Sequence, residues 1–364
     1  MRNLAKRWWF WALVVVVTIV VVVHLYLAIW VRDYVNRKLS EIPDYRAHVE
    51  AVTLHLWRGA YQIHNIKIEK TSGHVPVPFF AAPLVDLSVQ WKALLEGAFV
   101  GKIDFYEPQL NFTNGRSKEE QQAAVDEPWT EKIKQLYPLK FNRFAVHTGE
   151  IHYRDFSTDP KVDVVIDRVQ MVATNLTNSK KLSKSMVAEF QGTGRPLRSG
   201  QAKCQMSLDP YARKQTFALN LELADVPLVK LNDFARAYGH FEFKSGTLRL
   251  ATQVESKDAA FKGYVEPVFD NMNIGTEQSE KANPLSNLWA GIVDGLTKIV
   301  RNQPKNRFGT KVPLSGSFDQ PQPAILTTLY NVFRNAFVKA FEGKLEGENL
   351  HLPAEKELNP DKKE

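Results

Sequence analysis

The residues best suited to chemistry are two histidines and two aspartates that stand close together in the chain. His147, His152, Asp155 and Asp159 carry imidazole and carboxylate groups, which transition metals accept as ligands. Successive side chains of a strand point to opposite faces, and the two histidines differ in parity along an apparent hairpin, so they are expected on opposite faces. We therefore interpret all four residues as exposed polar side chains of strands and turns, and we predict no metal site.

The single cysteine offers little further chemistry. Cys204 cannot form a disulfide within the chain, and one thiol cannot build a zinc site. It stands in the segment 202–206, whose sequence is typical of a strand. We predict that its side chain is a small apolar filler on one face of a sheet.

A search for catalytic motifs is negative. The chain has no Walker-type phosphate loop, no HExxH and no Gly-x-Ser-x-Gly. Gly192-Thr193-Gly194 is too short for a dinucleotide-binding fingerprint. We predict no catalytic residue and no cofactor, and an enzyme is the least favoured class.

The composition is that of a globular protein with a mild excess of positive charge. The formal net charge is +7, with 44% hydrophobic and 24% charged residues. No block of Lys and Arg marks a nucleic-acid-binding arm, so nucleic acid is not expected as a partner. A basic domain close to a bilayer is attracted by anionic head groups, which accounts for the charge more simply.

The elements that must position any site begin with an apolar N-terminal segment. Residues 8–31 contain no Asp, Glu, Lys or Arg. A helix rises ~1.5 Å per residue, so this segment is long enough for the ~30 Å hydrocarbon core of a bilayer. A cleaved signal peptide is the alternative, but it usually ends in a small-x-small site, which Ala28 followed by Trp30 does not provide. We predict an uncleaved transmembrane anchor at 8–31, after a short head at 1–7.

Aromatic residues mark both ends of this predicted span. Trp8, Trp9 and Trp11 cluster at one end, with Tyr26 and Trp30 toward the other. Amphipathic rings in this arrangement lie at head-group depth, so we predict that these five residues contact the membrane interface. The Lys and Arg residues on the two sides of the span are balanced, so the positive-inside rule does not fix its orientation.

Beyond the anchor, apolar and polar residues alternate with a period of two. This pattern gives a strand one apolar face and is typical of antiparallel sheets. The residues predicted to share the apolar face are Val162, Val164, Ile166, Phe217, Leu219, Leu221, Leu223, Leu248 and Leu250. An open groove and a closed sandwich both need one apolar face, so periodicity leaves these two alternatives open.

Helical periodicity is found in fewer places. A helix is predicted within 228–238 and another within 129–137. Two amphipathic helices are predicted near the C-terminus, within 285–300 after the capping pair Asn283-Pro284, and within 326–341. The charged tail at 347–364 is predicted to be disordered.

Several segments together resemble the AsmA-like superfamily of bacterial envelope proteins, in a branch close to a domain of unknown function. The segment Arg58–Ile68 is similar to that family's first hairpin. A block resembling its strand, short helix and strand follows. The segments that carry the rest of the resemblance are Pro83–Trp91, Leu94–Gly97, Ile103–Phe112, Gly149–Asp155, Pro227–Gly239 and Arg334–Phe341.

The resemblance implies a long, twisted antiparallel sheet that curls into a groove with an apolar interior and is flanked by helices. It assigns residues 32–346 to an AsmA-like β-groove domain with C-terminal helices. Large members of the family are thought to bridge two membranes and conduct phospholipid. This chain provides roughly a dozen strands, and at ~4.8 Å per strand its sheet is short for a complete bridge.

Two functions follow as hypotheses. In the first, the protein is anchored in the bacterial inner membrane by a single pass, with most of the chain in the periplasm. Its groove, lined by the nine residues above, binds or passes the acyl chains of phospholipid in envelope maintenance. In the second, it is a structural or assembly module that binds another envelope protein and no lipid.

Overall fold

A computed structural model describes residues 2–40, 44–55, 59–117, 119–122, 139–209, 212, 214, 216–239, 241–276, 307–309 and 311–317. Within these ranges the protein is mainly β, as predicted, and its strands form one sheet. The fourteen strands are β1 (Tyr45–His55), β2 (Ala60–Lys70), β3 (Phe80–Val89), β4 (Phe99–Tyr106), β5 (Gln109–Asn114), β6 (Leu139–Asp155), β7 (Val162–Thr177), β8 (Ala188–Pro196), β9 (Gln201–Leu208), β10 (Phe217–Pro227), β11 (Phe241–Lys257), β12 (Ala260–Thr276), β13 (Arg307–Gly309) and β14 (Val312–Ser317).

The strands follow one another across the sheet almost in chain order. The order is β1-β2-β3-β4-β6-β7-β8-β9-β10-β11-β12-β13, while β14 also pairs with β12, and β5 lies between β3 and β6. No ladder of the described strands joins β1 to β13 or β14, so the sheet has two free ends. Neighbouring strands are ~4.8 Å apart, which gives a row about 50 Å long.

The prediction of a purely antiparallel sheet is wrong at β6, which pairs in parallel with both β4 and β5. β4 and β5 run in the same direction on either side of Glu107 and Pro108, as one strand interrupted by a residue that cannot donate a hydrogen bond. Residues 115–138 connect β5 to β6 in the sequence. Parallel neighbours need a connection of about a dozen residues or more, and this one is long enough.

A line of left-handed residues crosses the sheet, divides β2, β6, β7, β10 and β12 into two parts and separates β4 from β5. These residues are Asn65, Glu107, Thr148, Arg168, Asp225 and Asn271, with φ between 49° and 56°. Each acts as a bulge that shifts the alternation of buried and exposed side chains by one residue. In β12, for example, buried positions change from Phe269 to Met272 across Asn271. The apolar side chains therefore stay on one face along the whole strand.

The described residues include three α-helices beside the sheet: α1 (Arg2–Leu39), α2 (Trp91–Leu95) and α3 (Asn232–Gly239). The predicted helix within 228–238 is confirmed as a 3₁₀ turn, Leu228–Leu231, followed by α3. The predicted helices within 129–137, 285–300 and 326–341, and the tail at 347–364, lie outside the described residues.

The predicted anchor segment is part of α1. Among the described residues, no helix is found that is both long and apolar enough to cross a membrane. The spanning role of residues 8–31 stays a prediction.

Candidate functional site

The most extended feature of the sheet is a pair of apolar rows that cross twelve strands without a gap in the pairing. Residues directly opposite one another in a ladder share a face, so the register traces each row. The first row is Leu54, Tyr61, Leu87, Ile103, Phe144, Ala173, Phe190, Met206, Leu219, Val254, Gly263 and Leu314. The second row is Val52, Ile63, Val85, Phe105, Val146, Met171, Gly192, Cys204, Leu221, Thr252, Val265 and Val312. We call the face that carries these rows the apolar face.

The opposite face has a different character. The row between the two apolar rows is Thr53, Gln62, Asp86, Asp104, Ala145, Val172, Gln191, Gln205, Asn220, Gln253, Tyr264 and Pro313. Most of these side chains are polar, and we call this side the polar face. The sheet is therefore two-sided from β1 to β14, with one mainly apolar face and one mainly polar face.

All nine residues predicted to share an apolar face lie on the apolar face. Leu219 and Leu221 belong to the two rows, and Phe217 and Leu223 flank them on β10. Leu250 lies opposite Leu223. Val162, Val164 and Ile166 lie on β7, on the other side of the line of left-handed residues. Leu248 lies on β11, close to that line. Lipid binding by these residues stays a prediction.

Sequence reasoning did not name the part of the apolar face contributed by β1 to β4, β6, β8 and β9. The missing residues include Phe105, Phe144 and Phe190. Apolar and polar residues alternate in each of these strands, and this alternation could have identified the missing part of the face. The shift of parity at Glu107 and Thr148 interrupts that period and hides how far the face extends.

One end of the apolar face is covered by α1. Leu27, Ala28, Val31 and Val35 of this helix pack against a buried cluster on β1. The cluster consists of Val49, Val52 and Leu54, with Tyr61, Ile63 and Ile66 beside it. Burial raises the pKa of Tyr61 to about 12.

A second part of the face is sealed by the 3₁₀ turn and α3, which pack against β7 and β11. Leu228 and Ala235 are buried there together with Leu248 and Phe269. Val164 and Leu223, two of the predicted lining residues, pack against the same cluster. We call this cluster the sealed region, because its side chains form a core and offer no open surface.

Between these covers, many members of the rows are partly exposed. On β10 to β14, however, five row members are buried in a further core cluster: Leu219, Val254, Val265, Val312 and Leu314. Phe190 and Cys204 pack against that cluster. From β4 to β10 the partly exposed members include Phe105, Met171, Phe190 and Leu221. Cys204 lies among them as a free thiol, and burial raises its pKa. Its predicted role as an apolar filler on a sheet face agrees with this position. We call this part of the apolar face the central region.

Hydrogen bonds between Tyr238 and β6 hold α3 against the sheet. The Tyr238 hydroxyl donates to Asp155 Oδ2 over 2.6 Å and lies 3.3 Å from the Tyr153 hydroxyl. Burial would raise the pKa of Asp155, but hydrogen bonds from Ser157, Tyr238 and Asn114 outweigh it and lower that pKa below its usual range. Burial and the bond to Asp155 raise the pKa of Tyr238.

The two histidines do not converge. The left-handed Thr148 between them shifts the parity, so both lie on the polar face and the expectation of opposite faces is wrong. His147 Nε2 lies 2.8 Å from Asp104 Oδ1 and its ring stacks on Tyr106. The expectation of exposed side chains is also wrong for His152 and Asp155, which are both buried.

His152 belongs to a polar network instead. Its Nδ1 lies 2.7 Å from Asp163 Oδ1, and its Nε2 lies 3.1 Å from Glu150 Oε2. Arg154 also contacts Asp163, through Nε at 3.2 Å. Because both ring nitrogens have carboxylate partners, the imidazole is not open to a substrate. Among the described residues, no group of three or more His, Cys, Asp or Glu could hold a metal ion.

One cleft lies mainly against the polar face. It has a volume of about 370 Å³ over β6 to β10, and its polar lining includes Gln191, Gln205, Asn220 and Glu222. Val146, Met171 and Cys204 of the second apolar row also contribute to its lining. Amide and carboxylate groups would lose hydration against an acyl chain, so the polar part of this cleft suits a hydrated ligand.

The five residues predicted at a membrane interface all lie on α1 with more than half of their surface exposed. They are Trp8, Trp9, Trp11, Tyr26 and Trp30. Apolar side chains between the two aromatic groups, such as Leu13 and Ile19, are exposed to a similar degree. The residues of α1 that pack on the sheet cluster lie in its C-terminal part, from Leu27 to Val35.

No protein-family model matches the chain, and a search of the curated proteins finds no significant match.

Proposed function

We propose that this protein is a membrane-anchored envelope protein whose apolar face binds acyl chains of phospholipid. The observation that carries the proposal is the pair of apolar rows that crosses twelve strands and is partly exposed in the central region. Each CH₂ group removed from water contributes about 0.8 kcal/mol, so a continuous apolar surface can hold a tail while the head group stays hydrated.

The exposed part of α1 supports the anchor. Residues 8–31 have no charged side chain, and the described apolar and aromatic residues there are mostly exposed. A large exposed apolar surface requires a partner, and a bilayer of ~30 Å matches the length of this segment. The anchor would place the sheet in the periplasm, beside the bacterial inner membrane.

The resemblance to AsmA-like proteins supports the same function, since it implies a curled sheet with an apolar interior. The ordered chain of fourteen strands and the covering helices are compatible with such a groove. At about 50 Å, the row of strands is short for a bridge between two membranes, so a partner envelope protein would complete any longer path.

The second candidate is an assembly module that binds a partner protein and no lipid. The sealed region favours it, because Leu228, Leu248 and Phe269 form a closed core there. In the central region Phe190 and Cys204 pack against a further buried cluster. Phe105, Met171 and Leu221 stay partly exposed there, and for that reason lipid binding is the better account.

The test is to extract and identify lipid from the full chain purified in a mild detergent. We expect bound phospholipid, and we expect Leu221→Asp to lose most of it because a carboxylate would lie in the second apolar row. Asn220→Asp, one residue away on the polar face, is the matched control and should keep its lipid. Lipid-free, folded wild-type protein would favour the assembly module.

A further inference from the structure

The short helix α2 carries an exposed apolar patch. Leu95 is 87% exposed, more than any other large apolar residue among those described, and Trp91 and Leu94 are each 46% exposed. None of the five residues of α2 is buried. A single exposed Leu needs no explanation, but a Trp and two Leu residues side by side mark a surface that contacts something apolar.

The position of α2 follows from the way α1 meets β1. The side-chain amide of Asn36 donates to the carbonyl oxygen of Val49 over 3.1 Å, and the Val49 N–H donates to Asn36 Oδ1 over 2.7 Å. Leu27, earlier in α1, packs against the cluster that includes Leu54, later in β1. The helix and the strand are therefore antiparallel, and the N-terminal part of α1 leaves the sheet at the end where β1 stops, near His55.

α2 lies at this same end. His55 pairs with Ala60, Ala60 pairs with Ser88, and α2 begins just beyond Ser88, at Trp91. The strand from Val49 to His55 rises about 20 Å. The same rise takes about 13 residues of α1 counted back from Asn36. His55 therefore lies near the level of residue 23, within roughly one turn of Tyr26, and α2 lies just beyond that level.

We propose that α2 is a second membrane contact, with Trp91, Leu94 and Leu95 inserted at head-group depth beside the point where α1 leaves the bilayer. This inference rests on the proposed anchor. An indole ring suits the interface, and the exposed Lys92 suits anionic head groups. The contact brings the membrane-side ends of β3 and β4, and so the beginning of the apolar rows, next to lipid.

The twist of the sheet limits this contact to its first strands. Each strand is rotated by roughly 20–25° relative to its neighbour, so β3 and β4 remain near the direction of β1. Over the six or more steps to β8 and beyond, the rotation turns the corresponding strand ends away. The bilayer therefore meets the sheet at α2 and not along its whole edge.

The test uses the full chain with Cys204→Ser, reconstituted in vesicles of phosphatidylcholine and phosphatidylglycerol. Single cysteines are introduced as Leu95→Cys in α2, Val16→Cys in the anchor and His74→Cys at the opposite end of the sheet. Each carries an environment-sensitive fluorophore, which is quenched with spin-labelled lipids of known depth and with aqueous iodide. We expect shallow lipid quenching at position 95, deep lipid quenching at 16, and quenching by iodide alone at 74.

The outcomes separate this inference from the proposed function. Lipid quenching at position 16 with only iodide quenching at 95 would overturn the α2 contact and leave the anchor in place. Absence of lipid quenching at position 16 would overturn the anchor, and the inference with it. A label at position 95 shielded from both quenchers would mean that a protein partner or a second copy covers α2, which also contradicts the inference.

Discussion

The central and sealed regions of the apolar face have similar residues and different surroundings. In the sealed region, Leu248 and Phe269 are buried under the 3₁₀ turn and α3. In the central region, Phe190 and Leu221 occupy equivalent inward positions and stay partly exposed. Alternation along a strand thus specifies which face is apolar, while the packing around that face decides whether it becomes a core or a surface able to bind a ligand.

The largest expected difference between the two regions comes from a buried charge. We expect Leu248→Asp to lower the free energy of unfolding by about 4 kcal/mol or more, because it leaves an unpaired carboxylate in a closed core. Leu221→Asp should cost about 1–2 kcal/mol, since water reaches the central region. Urea unfolding followed by circular dichroism measures both values. Equal losses would mean that the central region is closed as well.

Removal of a large side chain should also lower the free energy of unfolding more in the sealed region than in the central region. Phe269→Ala is expected to cost about 3–5 kcal/mol, as is usual for a fully buried Phe. Phe190→Ala should cost about 1–2 kcal/mol, because its ring is partly exposed and leaves a smaller cavity. The same unfolding measurement applies to both variants. A larger loss at Phe190 than at Phe269 would reverse the assignment of the two regions.

The smallest expected effect concerns the hydrogen bond from Tyr238 to Asp155, beside the sealed region. Tyr238→Phe removes the hydrogen bond to Asp155 and should cost about 1 kcal/mol near neutral pH. The pKa of Asp155 is lowered in the folded state. The unfolded state therefore binds more protons between that value and the ordinary Asp pKa of about 3.9, and stability falls as the pH drops through this interval.

Tyr238→Phe tests the direction of this pH dependence of stability directly. Without the Tyr238 hydroxyl, the pKa of Asp155 should move back toward its ordinary value, and the loss of stability in acid should become smaller than in the wild type. The free energy of unfolding, measured from pH 6 down to pH 3, gives the pH dependence of stability for the wild type and for the variant. A steeper loss in Tyr238→Phe would contradict the role given to this hydrogen bond.

Much of the fold was predictable because apolar alternation persists within each strand. It was sufficient for β7, β10 and β11, and helical spacing was sufficient for the element at 228–238. The parallel pairing of β6 was not predictable, since alternation within a strand does not specify the direction of its neighbours. The parity of His152 was also hidden, because the left-handed residue before it is Thr148 and not a glycine.

The central claim is that acyl chains occupy the central region, and Cys204 tests it most directly. It lies in the second apolar row, while Lys203 is exposed on the polar face one residue away. The measurement is the rate of thiol alkylation in the full chain, with and without bound phospholipid, at one alkaline pH because burial raises the pKa of Cys204. The comparison is Lys203→Cys in a Cys204→Ser background.

Bound lipid should slow the alkylation of Cys204 by about tenfold or more, a factor that corresponds to ~1.4 kcal/mol of protection. The cysteine at position 203 should react at the same rate in both states. If lipid leaves the rate at Cys204 unchanged, or slows both positions equally, acyl chains do not occupy the central region.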